Sequence, residues 1–481
     1  MLPPGVEGME SFVIVDRRSF VRRTGYSFAA LALTAQARAA QTRSVAVTVD
    51  TSRALATMPQ DFVGLSYESA QLADPAFFSA SNTTLVRAFR ELCPRGVLRL
   101  GGTLSDMTLW KGGASNSISP EEAERVRSRY EWRLVDQKAT SKRPATLGPD
   151  GIAALGSFLR ATNWKLLYGL NLGTGTPQRA AEEAAVVARH AGDHLLAFQV
   201  GNEADLFGPS FRPAGWGFDR YFAEYQQFVT AVRARVPRAP FAGPDVASKR
   251  DWVTKFAERA KGDVVLVSSH YYAMGPAGAP GIDAQKLLGN DPRLTREIPV
   301  LMAAGKTAGA PYRMTEGNTC YHGGQPGVSD AFASALWAAD YLLHVAQAGV
   351  AGINLHGGGE GYYAPITGEP KATKLRPEYY GMQLAQQFAG ATFLPATLTG
   401  DAQNVNAYAA RQKGTLLVAV VNKSSDPVEI KLRGASSRAT ECWRLTAPSL
   451  DAKQGVHFAQ AEKNGSGVGG YAAAVWKFPL K

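Results

Sequence analysis

The sequence predicts an α/β fold: a (β/α)8 TIM barrel with an additional antiparallel β-sandwich domain built from both termini. The 481 residues are too many for one small domain and enough for a barrel with an appendage. From Phe62 onward, short apolar runs alternate with helical patterns, as βαβ units require. After Ala389 the pattern changes to apolar–polar alternation between turn clusters, which is typical of antiparallel strands.

Eight apolar runs supply the strands that a barrel needs. In order, the predicted strands are Phe62–Glu68, Val97–Gly102, Lys165–Leu172, Leu195–Glu203, Pro240–Val246, Val264–Tyr272, Tyr312–Glu316 and Val350–His356. The predicted helices include Pro177–His190, Tyr221–Val236, Asp251–Ala260, Asp330–Ala348 and Tyr379–Phe388. The polar segment from Thr103 to Asp150 follows strand two, so we expect it to shape the substrate cleft on the catalytic face.

The sandwich is predicted from segments at both ends of the chain. Its strands are Val405–Ala409, Thr415–Asn422, Val428–Leu432, Ala439–Leu445 and Tyr471–Phe478, and Asn464–Gly470 is predicted as a loop. Ser44–Asp50 reads as a strand ahead of the barrel, and we expect it to pair with the C-terminal sheet. The predicted domains are a signal peptide at 1–40, a sandwich at 41–60 with 389–481, and a barrel at 61–388.

The N-terminus resembles an export signal. The segment RRSFVR at 17–22 resembles the twin-arginine motif, and the apolar stretch from Tyr26 to Ala35 is too short to span a bilayer. Small residues at 37–39 offer a cleavage site. The alternative is a basic N-terminal arm. We predict export to the periplasm or the exterior, without stable membrane insertion.

Charge and cysteine content limit the partners. Lys and Arg number 52 against 41 acidic residues, giving a net charge of +11 that would attract polyanions. The sequence shows no RNA-binding aromatic signature, zinc-finger spacing or concentrated basic run, so we predict no nucleic-acid partner. The sequence has three cysteines at wide spacing, Cys93, Cys320 and Cys442. An odd number at this spacing predicts neither a disulfide framework nor a metal site, and a single disulfide between two of them is the open alternative. No metal or organic cofactor is expected.

Two carboxylates stand where barrel strands deliver catalytic residues. Asn202 and Glu203 close predicted strand four, and Glu316 closes strand seven across the barrel mouth. Glycoside cleavage needs an acid for the leaving oxygen and a carboxylate facing the anomeric carbon, about 5–5.5 Å apart in retaining enzymes. Glu203 is predicted to keep its proton as acid/base and Glu316 to stay ionised as nucleophile. Alone, the Asn-Glu pair would also fit a helix cap.

Strand six and strand two offer supporting side chains. His270 and Tyr272 close strand six, and a Tyr hydroxyl there would bond the nucleophile carboxylate. Because strand residues alternate faces, Tyr271 and Tyr272 cannot both point inward, and we predict that Tyr272 does. Arg99 on strand two would either orient the acidic pair or form a structural ion pair inside the barrel.

These residues resemble glycoside hydrolase family 79, which contains heparanases and microbial β-glucuronidases. The matching segments are GLSYE at 64–68, LRLGG at 98–102, QVGNE at 199–203, and Thr315-Glu316 with the following YHGG at 321–324. The resemblance implies that Tyr321, Gly323 and Tyr363 bind a glucuronate carboxylate and that Glu68 binds ring hydroxyls. His322 stands where a heparanase has Gly, which weighs against endo-type contacts there.

The resulting prediction is hydrolysis of terminal β-linked glucuronic acid from glucuronides or acidic polysaccharides, with retention of configuration. Three alternatives stay open: an endo-acting heparanase-like β-glucuronidase, another barrel glycosidase such as an arabinofuranosidase, and a carbohydrate-binding protein without catalysis. The sequence leaves the aglycone and the oligomeric state open.

Overall fold

The computed structural model describes residues 43–112, 118–137 (backbone alone for 129–137), 145–208, 210–357, 361–434, 438–463 and 465–480. The predicted signal peptide at 1–40 lies outside these residues, as does part of the Thr103–Asp150 insertion. Over the described ranges, no helix is long and apolar enough to cross a bilayer.

Helices separate most of the strands up to residue 386, and the described strands after it follow one another without a helix. The strands are β1 (Arg43–Val49), β2 (Val63–Glu68), β3 (Val97–Gly101), β4 (Leu109–Trp110), β5 (Thr146–Leu147), β6 (Lys165–Leu170), β7 (Leu195–Val200), β8 (Phe241–Val246), β9 (Leu266–Met274), β10 (Tyr312–Cys320), β11 (Ile353–His356), β12 (Ile366–Thr367), β13 (Lys374–Leu375), β14 (Thr392–Leu394), β15 (Ala396–Gly400), β16 (Val405–Gln412), β17 (Thr415–Asn422), β18 (Val428–Arg433), β19 (Glu441–Thr446), β20 (His457–Ala461), β21 (Gly467–Val468) and β22 (Ala472–Pro479).

The α-helices are α1 (Thr83–Leu92), α2 (Pro120–Gln137), α3 (Pro149–Thr162), α4 (Pro177–Ala191), α5 (Phe218–Arg235), α6 (Arg250–Arg259), α7 (Ala284–Leu288), α8 (Pro292–Ala308), α9 (Phe332–Gln347) and α10 (Pro377–Gln386). Several begin where the sequence dictates. The side chains of Asn82, Thr176 and Asp291 each accept a backbone N–H of the first turn, and the last two precede a proline at the first helical position.

Eight parallel strands close the predicted (β/α)8 barrel. The order β2-β3-β6-β7-β8-β9-β10-β11 returns to β2, so each strand neighbours the one before it in sequence. These strands are buried along nearly their whole length, as expected of a parallel sheet covered by helices. At the N-terminal end, the guanidinium of Arg313 bonds Asn354 and the carbonyl of Phe62 inside the barrel.

Among the predicted strand ends that differ from the structure, two concern the carboxylates. Strand β7 stops at Val200, and Glu203 lies in the turn beyond it. Strand β10 does not end at Glu316 but continues to Cys320, because residues beyond the carboxylate keep pairing with β9: Asn318 with Tyr272, and Cys320 with Met274. Both changes leave the carboxylates on the C-terminal rim, where barrel enzymes hold their active sites.

The strand ahead of the barrel pairs with the C-terminal segments, as predicted. Strand β1 is antiparallel to β15 and parallel to β18 in a four-stranded sheet. The second sheet has the order β14-β16-β17-β22-β19-β20. Val45, Val418 and Trp476 from the two sheets share one apolar cluster. The prediction of a mere loop at 464–470 is wrong for Gly467–Val468, which pair with β18.

Candidate active site

Glu203 occupies a strained turn at the end of β7. Its φ is +52°, a left-handed conformation that costs energy in a residue with a side chain. Its backbone N–H donates to the carbonyl of Asp245 at 2.9 Å, which holds the turn against the end of β8. The carboxylate lies 2.9 Å from Nδ1 of His270 and keeps one fifth of its side chain exposed. Glu203 therefore faces the open end of the barrel.

Glu316 lies on β10 at a shift in strand register. Its Oε2 accepts from Arg99 Nη1 at 2.6 Å, and its Oε1 accepts from the Tyr272 hydroxyl at 2.8 Å. Burial alone would raise the pKa of Glu316, but the charge that His356 carries when it is protonated in acid, the charges of His270 and Arg99, and the Tyr272 bond hold that pKa well below its usual range. Glu316 is therefore ionised near neutral pH.

The two carboxylates meet around one imidazole. An oxygen of Glu203, an oxygen of Glu316 and a ring nitrogen of His270 all lie within 4.8 Å of one another. The pair thus comes from the ends of strands four and seven of the barrel.

A buried ion cluster supports this pair from below. Arg99 is 1% exposed, and besides Glu316 it donates to Asp245 Oδ2 at 2.6 Å and to Asn202 Oδ1 at 2.7 Å. Asp245 also accepts from Gln199 and from the hydroxyl of Thr315. Burial works to raise the pKa of Asp245, yet Arg99 and His270 lower it below its ordinary value. Arg99 thus makes both contacts considered from the sequence: an ion pair with Glu316 and an ion pair with Asp245 within the barrel.

His270 is a cation between three carboxylates. Burial works to lower its pKa, but Asp245, Glu316 and the bonds to Asp245 and Glu203 raise it to about 10. The imidazolium donates from Nδ1 to Glu203 and from Nε2 to Asp245, 3.2 Å away. The trio with Glu203 and Glu316 is spaced like metal ligands, but a metal would have to displace a proton and a hydrogen bond from His270.

His356 lies at the end of β11, where Ser66 joins it to Arg99. Arg99 donates to the Ser66 oxygen at 3.0 Å, and the same oxygen lies 3.0 Å from His356 Nδ1. Burial lowers the pKa of His356, which keeps the ring neutral at pH 7. The other ring nitrogen, Nε2, lies 3.8 Å from Glu68 Oε1.

The two tyrosines of β9 point to opposite sides, as the alternation of a strand requires. Tyr272 faces the cleft and bonds Glu316, the contact that the sequence predicts. Tyr271 faces outward, where its hydroxyl donates to Asp291 at 2.7 Å and its ring stacks on Tyr341. The chain thus carries two adjacent tyrosines with the same chemistry, only one of which reaches the carboxylate pair.

The loops after β10 and β11 meet beside Tyr272. The rings of Tyr321 and Tyr363 lie 6.1 and 6.3 Å from its ring. Gly323 has φ +85°, and its carbonyl accepts from the N–H of Tyr362 at 2.6 Å, which joins the two loops. The structure therefore brings all three residues of the predicted carboxylate pocket to the same rim as Glu316.

Further polar residues at the C-terminal end of the barrel were not predicted from the sequence. Asp245, His356, Gln199 and Asp106 each stand at or near the C-terminal end of a barrel strand. The available signal was a polar residue within an apolar strand, such as Asp245 in GPDV at 243–246 or His356 in NLH at 354–356. Glu68, which was predicted, lies opposite His356 and accepts from the N–H of Leu104 at 2.9 Å. Asn202 turns its oxygen to Arg99, so its NH2 group is left as a donor.

Known proteins with similar sequences are β-glucuronidases and heparanases. A β-glucuronidase of Aspergillus niger is 28% identical over 307 residues, 56% of each chain. The heparanase of Mus musculus is 23% identical over 431 residues, 77% of each chain. The resemblance to glycoside hydrolase family 79 is confirmed. No protein-family model matches the chain. The chain spans little more than half the length of the fungal relatives, 56% of the Aspergillus niger enzyme and 54% of one from Neurospora crassa.

Solved structures agree on the fold. A 4-O-α-L-rhamnosyl-β-D-glucuronidase from Fusarium oxysporum superposes with a TM-score of 0.68 at 17% identity, covering 90% of this chain and 99% of its own. The arabinofuranosidase of Xanthomonas axonopodis superposes with a TM-score of 0.63 at 16% identity, covering 91% and 100%. At these identities the similarity shows the barrel fold alone, and the substrate has to be argued from the residues of the site.

Proposed function

We propose that the chain is a retaining glycoside hydrolase that releases terminal β-linked glucuronic acid. The observation that carries the proposal is the convergence of Glu203 and Glu316, from strands four and seven, within 4.8 Å of one another and of His270. That closeness suits a retaining pair, about 5–5.5 Å between carboxyl groups, and is too short for the water that an inverting pair admits.

The two carboxylates take different roles because their surroundings differ. Glu316, held ionised by Arg99 and Tyr272, attacks the anomeric carbon and forms a glycosyl ester. Glu203 gives its proton to the leaving oxygen, and then takes one from the water that hydrolyses the ester. The NH2 group of Asn202 donates to the sugar 2-hydroxyl. The His356 ring and Glu68, whose Nε2 and Oε1 lie 3.8 Å apart, contact a ring hydroxyl of the sugar.

The acidic sugar is assigned from the loop pocket. The rings of Tyr321 and Tyr363 lie beside that of Tyr272, and Gly323 belongs to the same loop as Tyr321. The two hydroxyls and the Gly323 amide are neutral donors, and donors of this kind bind a carboxylate without an arginine. The resemblance to β-glucuronidases, which the sequence comparisons confirm, supports the same assignment.

The test compares phenyl β-D-glucuronide with phenyl β-D-glucoside, using the wild type, Glu316→Gln and the control Glu183→Gln. Glu183 is a buried carboxylate that bonds Tyr168 outside the barrel. We expect a strong preference for the glucuronide, lost in Glu316→Gln and kept in Glu183→Gln, with a β-configured first product by NMR. Equal rates on both glycosides would remove the glucuronate assignment, and an α-configured product would remove the retaining mechanism.

A heparanase-like endo action is the second candidate. The heparanase match covers 77% of the chain, against 56% for the β-glucuronidase of Aspergillus niger. Digestion of a glucuronate-containing polymer separates the two: monosaccharide release supports exo action, and oligosaccharide products support endo action. A neutral pentoside hydrolysed faster than the glucuronide would indicate an arabinofuranosidase-type enzyme. Tight glucuronide binding without turnover would indicate a binding protein.

We also propose that residues 1–40 direct export. The paired arginines at 17 and 18 carry this proposal, as the twin-arginine pathway reads such a pair. Replacement of both by Lys should retain the protein inside the cell, as measured by fractionation. Unchanged export would contradict it.

A further inference from the structure

Asp106 is a buried carboxylate that the proposed mechanism does not use. It lies in the turn Thr103–Met107 after β3, at the start of the insertion, and is 1% exposed. Its Oδ1 accepts the backbone N–H groups of Leu172 at 3.0 Å and Gly173 at 2.9 Å, just beyond β6. Its Oδ2 accepts the N–H of Asn202 at 2.8 Å. One side chain thus joins the ends of three neighbouring barrel strands.

The third of these bonds concerns the acid/base residue directly. Asn202 and Glu203 are adjacent, and both backbone amides are fixed from outside their own strand: the first by Asp106, the second by the carbonyl of Asp245. Glu203 has φ +52°, a conformation that persists only where its surroundings impose it. The Asp106 bond is one of the two amide contacts that impose it.

We propose that Asp106 is a positioning residue that holds the Asn202–Glu203 turn so that Glu203 reaches the leaving-group oxygen. The inference rests on the proposed function. Asp106 touches neither substrate nor the reacting atoms, and it acts through the amide of Asn202. The start of the insertion after strand two therefore contributes to proton transfer.

Asp106→Asn tests this with little change in volume. An amide side chain has one acceptor oxygen, so it cannot keep bonds on both sides, and its NH2 group faces an N–H at Asn202 or at Leu172 and Gly173. The readout is kcat/KM for phenyl β-D-glucuronide, whose poor leaving group needs a proton, against 2,4-dinitrophenyl β-D-glucuronide, whose good leaving group does not. We expect a loss of about tenfold or more on the first and less than about threefold on the second.

The matched control is Glu183→Gln. Burial raises the pKa of Asp106 and of Glu183 to about 7, and both are buried carboxylates, but Glu183 bonds a tyrosine hydroxyl away from the site. The control should keep the wild-type ratio between the two substrates. Gly173→Ala is an independent variant: a Cβ there would lie 2.6 Å from that of Asp106 and push it aside, with every hydrogen-bonding atom retained. It should reproduce the selective loss and serves where Asp106→Asn does not fold.

The outcomes separate the two ideas. A wild type inactive on both glucuronides would remove the proposed function. A wild type that is active, with equal losses on both substrates in Asp106→Asn and Gly173→Ala, would overturn the positioning role alone. A selective loss on the phenyl substrate in either variant supports it.

Discussion

The bond from Tyr272 to Glu316 gives a measurable prediction about acidity. Tyr272→Phe removes a hydroxyl that donates to the nucleophile carboxylate at 2.8 Å and helps hold its pKa below the usual range. A hydrogen bond to a charged group contributes about 1.5–3 kcal/mol. At 1.36 kcal/mol for each pKa unit, its loss should raise the pKa of Glu316 by about 1–2 units.

The assay is kcat/KM for an aryl β-D-glucuronide as a function of pH. Its acid limb reports the ionisation of the free enzyme's nucleophile, since only the carboxylate attacks. The limb should move upward by about 1–2 pH units in Tyr272→Phe. The substrate's own carboxyl group titrates in the same region, but identically for both enzymes, so the displacement between the two profiles belongs to the protein.

The neighbouring tyrosine supplies the control. Tyr271→Phe removes an equivalent bond, 2.7 Å to Asp291, on the outer face of the same strand. It should lower the free energy of unfolding by about 1–2 kcal/mol and leave the acid limb in place. The reasoning is refuted if Tyr272→Phe leaves the limb unmoved, or if Tyr271→Phe moves it as far.

Three further predictions concern the same cluster and its rim. Arg99→Met leaves Asp245 and Glu316 buried without their guanidinium, so urea unfolding should show a loss of about 3–5 kcal/mol, and a loss under about 1 kcal/mol would contradict the ion cluster. Gly324→Ala should lower kcat/KM for glucuronides much more than Gly323→Ala. Both glycines have positive φ, but only at Gly324 would a Cβ lie 2.7 Å from the backbone N of Tyr363. Equal losses in the two variants would argue against the carboxylate pocket. The lowered pKa values of Asp245 and Glu316 stabilise the fold above their unfolded pKa values, near about 4, and this stabilisation is lost as pH falls below them. The free energy of unfolding should therefore differ less between pH 3 and pH 7 in Asp245→Asn than in the wild type. An equal difference in the two proteins would exclude this linkage.

The sequence predicts most of the fold because the buried barrel strands appear in it as short, continuous apolar runs. Each of the eight apolar runs forms a strand, and β1 pairs with the C-terminal sheet. The short strands at Thr392–Leu394 and His457–Ala461 were missed, since three to five residues give too little alternation to distinguish them from loop. The end of β10 was misplaced because its continuation depends on partners in β9, which a local pattern does not contain.

The candidate site was predictable where chemistry demands an unusual residue at a strand end. A carboxylate at the end of an apolar strand is conspicuous in a sequence, and Glu203 and Glu316 were predicted for that reason. Asp245 and Asp106 were not, because their importance lies in what they bond: the guanidinium of Arg99 in one case and three backbone amides in the other. Such partners come together only when neighbouring strands meet, so a single sequence does not display them.

The charges of the cluster explain how one imidazolium can serve both carboxylates in the first step of the proposed reaction. Arg99 and His270 are balanced by Asp245 and Glu316 before the reaction, so the ionised core is neutral. When Glu316 forms the ester it loses its charge, and in the same step Glu203 gains one by giving up its proton. His270 lies 2.9 Å from Glu203 and 4.0 Å from Glu316, so the negative charge moves from one neighbour of the imidazolium to the other. The buried core keeps its net charge through the step, and no uncompensated charge has to be created away from water.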